Sequence, residues 1–199
     1  MYYGAYKNLR NNVWQCLLDF NVSQLPVDVR TIAKQAGIHI VKNSSAHELS
    51  STERGKSFFY NHQWIIIYDD SQETTAARYT VAHELGHIFL GHELQSTLYC
   101  ETQVFHKKPQ AEQYADRFAL RLLCPACVLW GLDLHTADEI AAYCRIERKQ
   151  AELRAERMKQ LYKRQKFLAS DLEQQVFKNF QDYIQRERNK IEAKYHSFK

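Results

Sequence analysis

The sequence predicts an α+β fold: a small antiparallel or mixed sheet, built around a β-hairpin, packs against a buried helix, and further helices follow to the C-terminus. Three observations carry the prediction. Ser57-Phe58-Phe59-Tyr60 and Trp64-Ile65-Ile66-Ile67-Tyr68 are β-rich runs joined by the turn-prone Asn61-His62-Gln63. Val81, Ala82, Leu85, Ile88, Phe89 and Leu90 make the next segment apolar over most of a helix's circumference, the pattern of a buried helix. Later segments beginning at Gln110, Thr136 and Ser170 repeat apolar residues at helical spacing.

Taken in order, Leu9, Val13, Cys16, Leu17 and Phe20 predict a helix from Ala5 to Phe20. Pro26 opens a short second helix whose Val27, Ile32, Ala33 and Ala36 face inward and which Gly37 ends. The run from Ile32 to Ile38 resembles the first half of a DNA-reading helix-turn-helix. The residues that follow, His39-Ile40-Val41-Lys42, are β-prone and short, so a strand is the better reading and no recognition helix is available. Asn43 to Gly55 is polar and predicts a loop. The second hairpin strand is apolar on both faces, so it is central or covered. Asp70-Ser71-Gln72-Glu73 has the form of a capping box, which predicts a helix from Ser71 to Leu90 stopped by Gly91. Gln110 to Leu123 forms the next helix, with Ala115, Phe118, Ala119, Leu122 and Leu123 as its core stripe and Pro125 as its stop.

The chain of 199 residues is long enough for one domain with a substantial core plus an appendage. The expected organisation is a sheet-bearing domain with N-terminal helices over 1–130 and a helical region over 131–199. The net charge of +4 conceals an asymmetry. From Arg145 onward there are 15 Lys and Arg against 8 Asp and Glu; before it the counts are 12 and 15. A basic end fits nucleic acid or an acidic partner, but its interspersed acids equally describe the solvated side of amphipathic helices. There is no apolar run of 18 residues, which argues against a membrane span, and the N-terminus does not read as a signal peptide. Five irregularly spaced cysteines do not form a disulfide framework, so the expected location is the reducing cytoplasm.

The predicted buried helix carries His83-Glu84-Leu85-Gly86-His87. Histidines four apart lie one turn apart on nearly the same face, where two imidazoles can hold a borderline ion such as Zn2+. Glu84 flanks that face, placed as a general base rather than as a ligand. Two solvated histidines on a surface helix are the competing reading, and the apolar flanks argue against it. A catalytic zinc needs a third protein ligand and one open position. The continuation H-x-x-G-x-x-H is excluded, because Leu90 and Glu93 stand at its glycine and histidine positions. His92 lies about 140° round a helix from His87 and beyond Gly91, a poor ligand position. Glu112 on the following helix is the better candidate. Asp116, one turn on, can accept the other ring N–H of a ligating histidine and fix its tautomer. An exposed carboxylate pair would be the simpler reading without the histidines upstream.

Cys124-Pro125-Ala126-Cys127 has the spacing of a redox pair or of half a metal site. No second such pair exists, and Cys124 falls where a core residue is needed, so buried thiols are the better reading. Thr136 to Arg154 resembles a helix-turn-helix with Thr136 and Glu139 as a capping box, Ile146 in the turn and Ala151 packed inside. Arg148, Lys149 and Arg154 could meet phosphates, although direct DNA binding is the weaker reading. Ser170 and Glu173 start a long amphipathic helix bearing Leu172, Val176, Phe177, Phe180, Tyr183 and Ile184.

Arg78-Tyr79-Thr80-Val81-Ala82-His83-Glu84-Leu85-Gly86-His87-Ile88-Phe89-Leu90-Gly91-His92, then Glu112-Gln113-Tyr114-Ala115-Asp116-Arg117-Phe118-Ala119 and Leu122-Leu123-Cys124-Pro125, resemble the ImmA/IrrE family of metallopeptidases. The segment from Leu25 to Ile38 is similar to that family's N-terminal helix and strand, and the likeness spans about residues 24–158. It implies a zincin-like fold, zinc ligands at His83, His87 and Glu112, and Glu84 as base. It also implies a protein substrate: a helix-turn-helix repressor of a mobile element or stress regulon. Two positions depart from the family: Tyr114 stands where a second acid is common, and Asp116 where Asn is common. An oxyanion partner is also required, with Tyr99, His106, Tyr114 and Arg117 as candidates. The alternative function is a non-proteolytic, zinc-containing regulator that binds DNA or a partner through the basic C-terminal helices. A phage or toxin–antitoxin partner that only binds peptides is a third reading.

Overall fold

A computed structural model describes residues 3–91 and 109–197. In chain order the elements are α1 (Tyr3–Asp19), α2 (Val29–Gln35), β1 (His39–Lys42), α3 (Asn43–Ala46), β2 (Gly55–Tyr60), β3 (Gln63–Tyr68), α4 (Thr74–Phe89), α5 (Gln110–Leu123), α6 (Ala126–Gly131), α7 (Ala137–Cys144), α8 (Arg148–Lys163), α9 (Asp171–Asn179) and α10 (Gln181–Ser197). The fold is α+β. Two compact units divide the chain, one drawn from residues 1–12 and 28–123 and the other from 13–27 and 124–199. Among the described residues no helix is long and apolar enough to cross a membrane.

The first unit is built on a three-stranded mixed sheet in the order β1-β3-β2. The central β3 pairs in parallel with β1, His39 opposite Ile65, and antiparallel with β2, Gly55 opposite Tyr68 and Tyr60 opposite Gln63. The hairpin turn is Asn61-His62, both at positive φ (47° and 61°), the two-residue turn whose twist suits paired strands. Ile66, Ile67 and Tyr68 of β3 are buried, as a central strand requires. Leu85, Phe118 and Leu122 complete this core at 0% exposure.

Two helix starts differ from the sequence prediction. Pro26 does not open α2; Asp28 caps it, its carboxylate accepting the N–H groups of Arg30 and Thr31. Asp70 does not cap α4. Both its oxygens are taken by Ser44, from the backbone N–H at 2.9 Å and from the hydroxyl at 2.7 Å. Asp69 instead accepts from Ser71, and α4 begins only at Thr74, with no side-chain cap at Glu73. The far end behaves as the sequence suggests: Gly91 takes a positive φ of 65° just past the helix.

In the second unit, the capping box at Thr136 and Glu139 is complete, and Arg145 in the left-handed region turns α7 into α8. Ile140, Cys144, Ile146, Ala151 and Met158 are buried. The expected long C-terminal helix is two helices, broken at Phe180. Residues seven apart on a straight helix lie about 10 Å apart along the axis. The break lets Phe177 and Ile184 close on one point: a Cβ at Gly131 of α6 would meet Phe177 Cε2 at 2.7 Å and Ile184 Cδ1 at 2.8 Å. Ser170 caps α9, but Glu173 reaches past it to the N–H of Ala169.

Candidate metal centre

The buried run of α4 spans Val81 to Gly86 and His87, so both histidines and Glu84 are withdrawn from water. Buried polar side chains need partners, and one another's company does not satisfy these three. They come from α5 and β2.

Gly86 explains the approach of α5. A Cβ there would lie 3.1 Å from Ala115 Cα and 3.2 Å from both the Ala115 carbonyl oxygen and Phe118 Cβ. The two helices therefore touch backbone to backbone where Gly86 faces Ala115. Each contact residue is three positions past a polar one, His83 and Glu112, so the close approach carries Glu112 over the histidine pair. Tyr79 adds a tether, its hydroxyl donating to the Asp116 carbonyl at 3.3 Å.

The structure brings together every residue the motif picked out. His83 Nε2 and His87 Nε2 are 3.0 Å apart, with ring centroids at 4.8 Å. Glu112 Oε2 lies 3.2 Å from His83 Nε2, and Oε1 lies 3.0 Å from His87 Nε2. Exposure of the three residues is 4%, 1% and 3%. On its other edge His83 presents Nδ1 to Asp116 Oδ1 at 3.0 Å. An ionised carboxylate only accepts, so Nδ1 carries a proton, and Nε2 is the nitrogen left facing His87 and Glu112. Three potential ligand atoms, one from each residue, converge within 4.8 Å of one another. Neither Glu112 oxygen, though buried, receives a properly directed hydrogen bond. Leaving such acceptors unpaired costs several kcal/mol, roughly 1–3 for each neutral group and more for a charge. A divalent cation removes the cost, and the N2O donor set suits zinc.

The electrostatics express the same frustration in protons. Burial alone would raise the Glu112 carboxyl, but the His83 and His87 rings facing it hold it at about 2. Burial disfavours a charged His83, yet the Asp116 and Glu112 carboxylates outweigh this and raise it to about 9. Glu84 is pushed up by burial, against the pull of His83 and of a hydrogen bond from Ser57.

Three residues at the site escaped the sequence prediction: Gly86, Ser57 and Gly55. Ser57 Oγ donates to Glu84 Oε2 at 2.7 Å. Small residues at alternate positions of a strand that goes on as Phe58-Phe59-Tyr60 signal close approach by something else, and Gly55 and Ser57 carry that signal. Of the oxyanion candidates, Tyr114 is half-buried and accepts a hydrogen bond from Gln110 at 2.7 Å, and Arg117 is half-buried on the same helix. Tyr99 and His106 lie outside the described residues, as does His92. Cys124 and Cys127 are fully buried, and burial, reinforced by Glu173, pushes the Cys127 thiol well up, which leaves it inert as a nucleophile.

A peptidase-family model described as the IrrE N-terminal-like domain matches residues 33–156. No curated protein matches the chain.

Proposed function

The chain belongs to the IrrE N-terminal-like peptidase family, and we propose that it is a zinc-dependent metallopeptidase that hydrolyses a peptide bond in a specific regulatory protein. The observation that carries the proposal is the convergence of His83 Nε2, His87 Nε2 and a Glu112 oxygen in a buried site. These three would hold the ion, and Asp116 would keep His83 in the tautomer that offers Nε2. When bound, zinc supplies positive charge that acidifies water and polarises a peptide carbonyl. Glu84 accepts the proton from the attacking water and returns it to the leaving amine. Its burial supports both halves of that task, because a raised carboxyl holds the proton long enough to deliver it.

The substrate we favour is a helix-turn-helix repressor of a mobile element or stress regulon, cleaved in the cytoplasm. That choice rests on family resemblance. The buried thiols Cys16, Cys124, Cys127 and Cys144 suit a reducing compartment. The DNA-binding alternative loses support at its own residues. Arg154 is buried at 4% exposure, and Arg148 is engaged with Asp138 and Glu152.

The test is to incubate the zinc-loaded protein with candidate helix-turn-helix repressors, any encoded beside its gene first, and follow the products by mass spectrometry. Cleavage is expected, lost with chelator and restored by zinc. Glu84→Gln should keep the metal and lower kcat by at least about 1,000-fold. Cleavage at the wild-type rate by that variant would remove Glu84 from the mechanism. A promoter fragment bound equally by wild type and Glu84→Gln, with no repressor cut, would favour the regulator instead.

A further inference from the structure

Glu84 is carried by α4 but seated by β2. Gly55 and Ser57 are alternate residues of that strand, so they point to the same face of the sheet, and both are buried. Ser57 Oγ donates to Glu84 Oε2 at 2.7 Å. A Cβ at Gly55 would come within 3.3 Å of Glu84 Oε1 and 2.5 Å of Thr80 Cγ2. One strand thus addresses both carboxylate oxygens, the first with a donor and the second by leaving room.

Sheet packing does not explain the hydroxyl. The residue opposite Ser57 on β3 is the fully buried Ile66, and the strand continues as Phe58, Phe59 and Tyr60. A buried hydroxyl without a partner would be a liability there, and the partner this one has is the carboxylate read above as the base. The end of a glutamate side chain turns about a broad, shallow torsion, so one hydrogen bond can fix the plane of the group.

We propose that Ser57 is a positioning residue for Glu84: its hydroxyl occupies Oε2 and fixes the carboxylate plane, so that Oε1, lying over Gly55, is the oxygen that takes and returns the proton. This rests on the reading of Glu84 as base. The proton goes from water to Oε1 and from Oε1 to the departing amine, and Ser57 keeps its own throughout. A hydrogen bond to a charged group is worth enough that its loss should weaken Glu84-dependent steps by about 10- to 100-fold.

The experiment replaces zinc with Co2+ in the full chain and titrates acetohydroxamic acid, following the visible spectrum. This probe chelates the ion and gives up a proton to a neighbouring base, so its affinity reads the carboxylate without any turnover. Wild type and Ser57→Thr should bind it equally. Ser57→Ala should bind it about 10- to 100-fold more weakly, while its Co2+ affinity and probe-free spectrum stay those of wild type. Glu84→Gln should be at least as weak as Ser57→Ala. Wild-type affinity in Ser57→Ala, with Glu84→Gln impaired, overturns the role of Ser57 and leaves the proposed function standing. Ser57→Thr as weak as Ser57→Ala, or a changed probe-free spectrum in Ser57→Ala, assigns the loss to packing and also overturns it. Wild-type affinity in Glu84→Gln overturns the reading of Glu84 itself.

Discussion

Glu112 and Glu173 are buried to the same depth, 3% and 4% exposed, one in each compact unit, yet their surroundings are opposite. Glu173 sits in the first turn of α9, where its Oε2 accepts the N–H of Ala169 at 3.1 Å and the helix dipole favours its charge. Glu112 also lies in the first turn of its helix, but its oxygens face the ring nitrogens of His83 and His87 and receive no directed donor. Burial of a carboxylate is therefore not what marks a site. A buried acid supplied with backbone donors serves its own helix; a buried acid aimed at paired imidazole nitrogens is placed to share a cation with them.

The largest expected effect breaks this comparison at its centre. Glu112→Ala should lower zinc affinity by at least about 100-fold, measured by competition with a chelating dye, whereas Glu173→Ala should leave it unchanged. Stability should divide the other way. Glu173→Ala should cost about 1–3 kcal/mol with or without zinc, whereas the cost of Glu112→Ala should grow when zinc is present. A cost of Glu112→Ala that zinc leaves unchanged would erase the distinction.

A pH titration sharpens it. In the metal-free protein His83 is held near 9 by Asp116 and Glu112, so at neutral pH it carries a proton that the metal must displace. Zinc affinity should rise with pH, by about tenfold per unit, and level off above about 9. Glu112, held near 2, stays ionised across this range and adds nothing to the slope. The sign reverses for stability without metal: a raised histidine stabilises the fold below its unfolded value of 6.5, and that stabilisation is lost as pH climbs through about 9. Proton release near zero when zinc is added at pH 7 would contradict this account.

What could be read in the sequence follows from how local each cause is. β1 and α5 are found with the limits the sequence predicts, because β-propensity in His39–Lys42, helical spacing from Gln110 and the stop at Pro125 all act within a few residues. The capping box at Thr136 is local for the same reason. Asp70 illustrates the opposite case. Its sequence has the form of a cap, but Ser44, 26 residues away, takes both its oxygens. The break at Phe180, the burial of Arg154 and the backbone contact of Gly86 with Ala115 are likewise imposed by packing between distant segments. At the candidate site, side chains that stand out chemically were visible: imidazoles and carboxylates at helical spacing. Ser57 was not, since its only distinction is the buried partner that the fold brings to it.

The smallest effect tests whether local devices of the second unit bear on the first. Thr136 Oγ1 accepts the Glu139 N–H at 3.2 Å, and Glu139 Oε2 accepts the N–H groups of Thr136 and His135 at 2.8 and 3.0 Å. Thr136→Ala removes one arm of this exchange and leaves Glu139 its backbone donors. Loss of such a cap costs about 1 kcal/mol. Thermal denaturation should register that loss, while zinc affinity and its pH dependence stay at wild-type values. Glu139 is satisfied locally and lies on the solvent side, so nothing in its hydrogen bonding carries a signal to His83. A shift in zinc affinity in this variant would show that the donor-supplied carboxylates are not confined to holding their own helices.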